Sequence, residues 1–106
     1  MDLNPYVFEV IQWQPPPTNH ICLNTNGAVS HSSKRGSCRG LFRDHFGNFL
    51  GAYVRPLGLT TILHAELWGI YEGLQLARQK YYANLEVQTE NTDVLDLLSP
   101  SSLQSP

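Results

Sequence analysis

The chain has 106 residues and a formal net charge of −2, which leaves room for one domain and argues against strong sequence-independent binding to nucleic acid, since such binding displaces counterions with Lys and Arg. No apolar run approaches the roughly 18 residues of a membrane helix, and Met1-Asp2-Leu3-Asn4-Pro5 lacks the basic-then-apolar order of a signal peptide. The expectation is a soluble, intracellular protein, cytoplasmic or nuclear, whose two cysteines, Cys22 and Cys38, stay reduced because they form no close metal or redox pair.

Residues 1 to about 12 carry Tyr6, Val7, Phe8, Val10 and Ile11 in no clean period, and Trp13-Gln14-Pro15-Pro16-Pro17 predicts an extended linker. Residues 1–18 are therefore read as an N-terminal segment and linker, 19–98 as the domain, and 99–106, rich in Ser and Pro, as a disordered tail. From His20 the pattern alternates, with Ile21, Leu23 and Thr25 on one face of a strand and Cys22, Asn24 and Asn26 on the other. Two more strands are predicted at about 38–43 and 49–54, joined by Asp44-His45-Phe46-Gly47-Asn48 as a hairpin loop. Pro56 and Gly58 are read as closing this meander.

Thr60-Thr61 stands where a helix N-cap is wanted. Leu63, Leu67, Ile70, Leu74 and Ala77 then recur at three- and four-residue steps, predicting a helix over about 62–82 with that stripe buried. Gly69 and Gly73 cost about 1 kcal/mol each relative to Ala in a helix. Their presence implies close packing on a sheet, which would also bring Glu66 toward the first strand. Leu85 to Glu90 alternates again as a fourth strand, expected parallel to the first, and Asn91 caps a short helix carrying Val94, Leu95, Leu97 and Leu98.

Four segments, in order, carry a resemblance: Leu23-Asn24-Thr25-Asn26-Gly27-Ala28, Gly40 to Gly47, His64-Ala65-Glu66-Leu67-Trp68-Gly69-Ile70-Tyr71-Glu72-Gly73-Leu74-Gln75-Leu76-Ala77, and Leu85 to Asn91. Over about residues 13–98 the chain resembles the ribonuclease H-like domain of plant retroelement-derived reverse transcriptases, type 1, shortened at its C-terminus. The resemblance implies an α/β fold with a mixed sheet: a three-stranded antiparallel meander, a long helix and a parallel fourth strand, the final strand and helix being missing. The edge so left is expected to expose strand hydrogen-bonding groups.

The resemblance further implies endonucleolytic hydrolysis of the RNA strand of an RNA–DNA hybrid by water activated between two Mg²⁺ ions, with Mn²⁺ as a substitute. Such ions lie roughly 3.5–4 Å apart and are held by converging carboxylates. Carried over, the family's first-strand Asp falls on Asn26, its helix Glu on Glu66 and its fourth-strand Asp on Glu90. These three are the expected metal and catalytic positions. Asn26 offers oxygen without charge, and Glu90 is one methylene longer than Asp, so weak or absent activity is expected. Lys34, Arg35, Arg39 and Arg43 are the expected nucleic-acid contacts, with a solvated surface as the plainer reading. The competing readings are a non-catalytic module for nucleic acid or protein, and a retroelement fragment without function. Trp68 and Tyr71 are read as core or rim packing. The four histidines show no zinc spacing, residues 34–37 make no P-loop, and no Ser or Cys nucleophile motif is present.

Overall fold

A computed structural model describes residues 8–11 and 20–98. The segment 1–7, the Pro-rich stretch 12–19 and the tail 99–106, with the linker and disorder expected there, lie outside the described residues. The elements are β1 (Phe8–Ile11), β2 (Ile21–Val29), β3 (Arg35–Arg43), β4 (Phe49–Leu59), α1 (Ile62–Gln79), β5 (Leu85–Gln88) and α2 (Thr92–Leu97). They form one five-stranded sheet in the order β1-β5-β2-β3-β4. The meander β2-β3-β4 is antiparallel, and β5 runs parallel to β2, as expected.

The sheet departs from expectation at both ends. A strand stands where no clean period had announced one: β1 pairs parallel with β5, Phe8 opposite Leu85 and Ile11 opposite Gln88. So β5, the expected open edge, is hydrogen-bonded on both sides, by β1 and by β2. At the other end, Pro56 and Gly58 do not close the meander. They lie inside an eleven-residue β4, where the register shift opposite Gly36/Ser37 absorbs them. An edge strand tolerates Pro because its missing N–H can face outward.

Alternation decides which side of the sheet is dry. Leu23 and Phe42 face α1 and join Ile70, Ala77, Leu85, Val87 and Val94 in the core, where Phe42 meets Tyr82 edge-on at 5.3 Å between ring centroids. Burial of this set supplies most of the folding drive, at roughly 1.5–3 kcal/mol per large side chain. Thr61 caps α1, its hydroxyl accepting from the His64 amide at 3.2 Å, and Asn91 caps α2 through the Val94 amide at 2.9 Å.

The face of α1 that meets the sheet is turned from the expected leucine stripe. Ala65, Glu66, Gly69, Ile70, Gly73 and Ala77 are buried, while Leu63, Leu67 and Leu74 are half-buried at its flank. Small residues let the helix axis come close, so the larger leucines end beside the contact. Beyond Gln79 the chain turns with Tyr81 in the left-handed region, φ 58°. The Tyr82 amide reaches the Ala77 carbonyl at 2.9 Å and the Tyr81 amide the Arg78 carbonyl at 3.2 Å, a Schellman pattern that ends the helix three residues before its expected limit.

Candidate functional site

The site begins at Gly27. A Cβ there would stand 2.7 Å from the Glu66 nitrogen and 2.8 Å from the Ala65 carbonyl carbon, both backbone atoms, so only glycine lets α1 approach β2 at this point. Gly73 does the same two turns further along the helix: its Cβ would collide with a Leu23 methyl and stand 2.8 Å from the Tyr53 hydroxyl. At Gly69 the nearest atom would be 3.4 Å away, ordinary contact, so its share in the close packing is the smaller one. The Tyr53 hydroxyl donates to the Gly69 carbonyl and pins β4 to the same helix.

This approach carries Glu66 to the first long strand. Glu66 is buried. Burial raises its pKa above the ordinary value, and the nearby Gly27 amide opposes that rise. Asn26 projects from β2 on the face away from α1, directly across the ladder from Arg39. Glu90, exposed, follows β5. A cleft of about 610 Å³ takes in all three expected positions, Asn26, Glu66 and Glu90, with Arg39 on its wall.

Sequence reasoning missed several of the cleft's polar groups. Thr25 lines it and is buried, with its hydroxyl oxygen lacking a hydrogen-bond partner. Asn24 donates to Gln88 at 3.0 Å and accepts from Arg43. The Cys22 thiol also reaches Asn24 at 3.5 Å, and burial pushes its pKa up to about 11, so it stays an unreactive thiol. The signal for Asn24 was present, since it shares the strand face of Asn26. For Gln88 it was not, because its partner across the sheet is known only from the fold.

The expected basic contacts separate. Arg35, Arg39 and Arg43 alternate on β3 with Cys38 and Phe42, which are buried, so the three arginines share the face away from α1. Lys34 sits apart in the turn before β3, with φ 61°. Trp68 and Tyr71 lie at the rim, 41% and 50% exposed, in an edge-on contact of 5.4 Å. The Arg55 guanidinium stacks 4.7 Å from the Trp68 ring and pairs with Glu72.

Two hard cations close together need several anionic oxygen ligands. Among the described residues no three His, Cys, Asp or Glu side chains gather as a metal site. The cleft offers two carboxylates, one of them buried, and the neutral amide of Asn26. This donor set does not fit a two-ion centre.

Residues 24–106 match the family model described as reverse transcriptase-like. The chain belongs to that family. This reverse transcriptase-like domain is 30% identical over 94 residues to a protein of Arabidopsis thaliana whose name assigns it, provisionally, to ribonuclease H; the match takes in 89% of the chain and 15% of that relative. The chain thus spans a small share of the curated protein it matches. Its fold is that of ribonuclease H1. The enzyme of Halobacterium salinarum superposes with a TM-score of 0.72 at 14% identity, over 82% of this chain and 64% of that one. LC11-RNase H1, isolated from compost, gives 0.68 at 18% identity over 80% and 69%, and its complex with an RNA/DNA hybrid gives 0.63 at 20% over 79% and 69%. Among the described residues no helix is long and apolar enough to cross a membrane.

Proposed function

We propose that this ribonuclease H-like domain binds nucleic acid, an RNA–DNA hybrid first, across the sheet face that carries Arg35, Arg39 and Arg43, and that it hydrolyses the hybrid weakly or not at all. The observation that carries the reading is the cleft holding Asn26, Glu66 and Glu90 with Arg39 beside them, in a domain whose family is that of reverse transcriptase-like proteins. The LC11 enzyme, solved with an RNA/DNA hybrid, supports the choice of first ligand. With a net charge of −2 the grip must be local, and a row of arginines on one strand face is a local source of it. The setting is intracellular, where such hybrids form.

The weak or absent hydrolysis rests on Asn26. An amide in place of a carboxylate removes charge where Mg²⁺ or Mn²⁺ would need it, and a misplacement of about 1 Å at the longer Glu90 can cost on the order of 10²-fold. The same observation favours a second reading, a module that binds without cleaving.

One experiment addresses both. Labelled hybrid is incubated with the chain over a series of salt concentrations, and then with Mg²⁺ and Mn²⁺, beside Glu66→Gln. Salt-dependent binding that Arg39→Ala weakens, with little cleavage, is the expected result. No binding at low salt overturns the reading; fast cleavage abolished by Glu66→Gln overturns its catalytic half.

A further inference from the structure

On the face of the sheet away from α1, one side-chain amide stands at the centre of a chain of hydrogen bonds that crosses three strands. Gln88 of β5, 1% exposed, is the register partner of Asn24 on β2. Its Oε1 accepts from Asn24 Nδ2 at 3.0 Å, and Asn24 Oδ1 accepts from Nη2 of Arg43 on β3. Arginine has only donors to offer, so Asn24 presents its oxygen to Arg43, its nitrogen is left for β5, and Gln88 answers with its own oxygen. Each amide has a single orientation that satisfies the chain.

The register shows what this does to charge. Arg43 belongs to the row of Cys22, and the next row on this face pairs Asn24 with Leu41, an apolar residue. By reaching Asn24, Arg43 carries its guanidinium out of its own row and toward Arg39, whose row partner is Asn26. Arg39 and Arg43 are four residues apart, about 13 Å along a strand, whereas the rows of Asn24 and Asn26 are two residues apart, about 7 Å. The shorter interval is on the scale of successive phosphates along one strand of nucleic acid. Two cations so close repel each other, and fixing an arginine costs it rotamer freedom, so the amide is what keeps Arg43 there. Asn24 and Gln88 line the cleft together with Arg39, which puts the braced charge at the margin of the cleft.

We propose that Asn24 is a positioning residue for nucleic-acid binding: it holds Arg43 beside Arg39 so that the two guanidinium groups take neighbouring phosphates of one strand, and Gln88 in turn holds Asn24. This rests on the binding of a hybrid to this face, and it gives the arginines unequal parts. Arg43 is braced before the ligand arrives and gives up little freedom on binding, whereas Arg39 is exposed and becomes ordered by the ligand. Asn24 touches no phosphate itself. Its contribution to affinity passes through Arg43 and vanishes when Arg43 is gone, which separates this role from that of a residue that merely stabilises the sheet.

Fluorescence anisotropy of a labelled RNA–DNA hybrid, without divalent metal, tests this on the whole chain with wild type, Asn24→Ala, Arg43→Ala, the double variant and Gln88→Met. Circular dichroism confirms that each is folded. Arg43→Ala should weaken binding and lower the slope of log affinity against log salt by about one. Asn24→Ala should weaken binding by about threefold to tenfold in the wild-type background and leave it unchanged in the Arg43→Ala background, and Gln88→Met should follow Asn24→Ala to a smaller extent. In the wild-type chain, with no substitution at all, ¹⁵N relaxation of the arginine Nε–H groups should find Arg43 restrained and Arg39 mobile. An Asn24→Ala loss of the same size in both backgrounds overturns the proposal, as does an Arg43→Ala variant that binds like wild type, or equal mobility of the two arginines. A wild type that binds no hybrid at low salt overturns the binding reading and the proposal with it, whereas binding without coupling between Asn24 and Arg43 overturns the proposal alone.

Discussion

The two sides of β2 were written by the same nine residues and do opposite work. Toward α1, Leu23 packs in the core, and Gly27 gives way so that the helix can touch. Away from α1, Asn24 and Asn26 hold polar positions beside the arginines of β3. Substitutions on the first side should act on folding and reach the cleft only through the position of Glu66, whereas exposed positions on the second should act on ligands and leave stability nearly unchanged.

The largest effect is expected at Phe42, whose ring is buried between Tyr53 and Tyr82. Phe42→Ala should cost about 3–5 kcal/mol, and urea unfolding followed by circular dichroism measures it. Gly27→Val comes next at about 1–3 kcal/mol, because the new side chain meets backbone of α1 and no side chain can swing clear. A loss below about 0.5 kcal/mol would mean that α1 slides freely over β2 and that the approach of Glu66 is not enforced by the glycine.

The division between the sides also explains what could be read beforehand. A period of two assigns Leu23 and Asn26 to opposite faces with no knowledge of the fold, and caps mark Thr61 and Asn91. Close packing through Gly69 and Gly73 was legible in their cost inside a helix, and Ile70 and Ala77 are buried as expected, but Leu63, Leu67 and Leu74 were placed too deep because periodicity weighs large apolar residues. Strand β1 escaped because four residues pairing with a distant segment leave no local signature. The full length of β4 escaped because Pro and Gly read as stops, a rule that an edge position suspends. Convergence of Asn26, Glu66 and Glu90 on one cleft came from the family resemblance; spacing alone could not supply it.

On the far side of β2, Arg39→Ala should shift unfolding by no more than about 0.5 kcal/mol and yet weaken binding of a hybrid. Each arginine lost from a phosphate contact should lower the slope of log affinity against log salt by about one. Fluorescence anisotropy at several salt concentrations reads both quantities. A large loss of stability here would break the division between the two faces.

Asn26→Asp carries the comparison into the cleft. A carboxylate at this position supplies the oxygen ligand that Mg²⁺ prefers, so calorimetric titration should show tighter binding of Mg²⁺ and Mn²⁺ than in wild type. Adding Glu66→Gln should remove the gain. If the gain survives that second change, Asn26 and Glu66 do not share a ligand.

The smallest effect is a dependence on pH, and it asks the same question without metal. Burial raises the folded pKa of Glu66 above its ordinary value of 4.5, so the folded chain holds this proton more tightly than the unfolded chain does. The stabilisation is therefore complete below pH 4.5 and fades as pH rises through the higher folded value. Glu66→Gln should flatten that fall, and the difference between the two unfolding curves across this window isolates the group. In Asn26→Asp a second carboxylate disfavours ionisation of Glu66 further, so the fall should begin at the same pH and continue to a higher one. Equal curves for wild type and Asn26→Asp would mean that the two side chains do not sense each other, and the cleft would then hold two unrelated polar groups in place of one site.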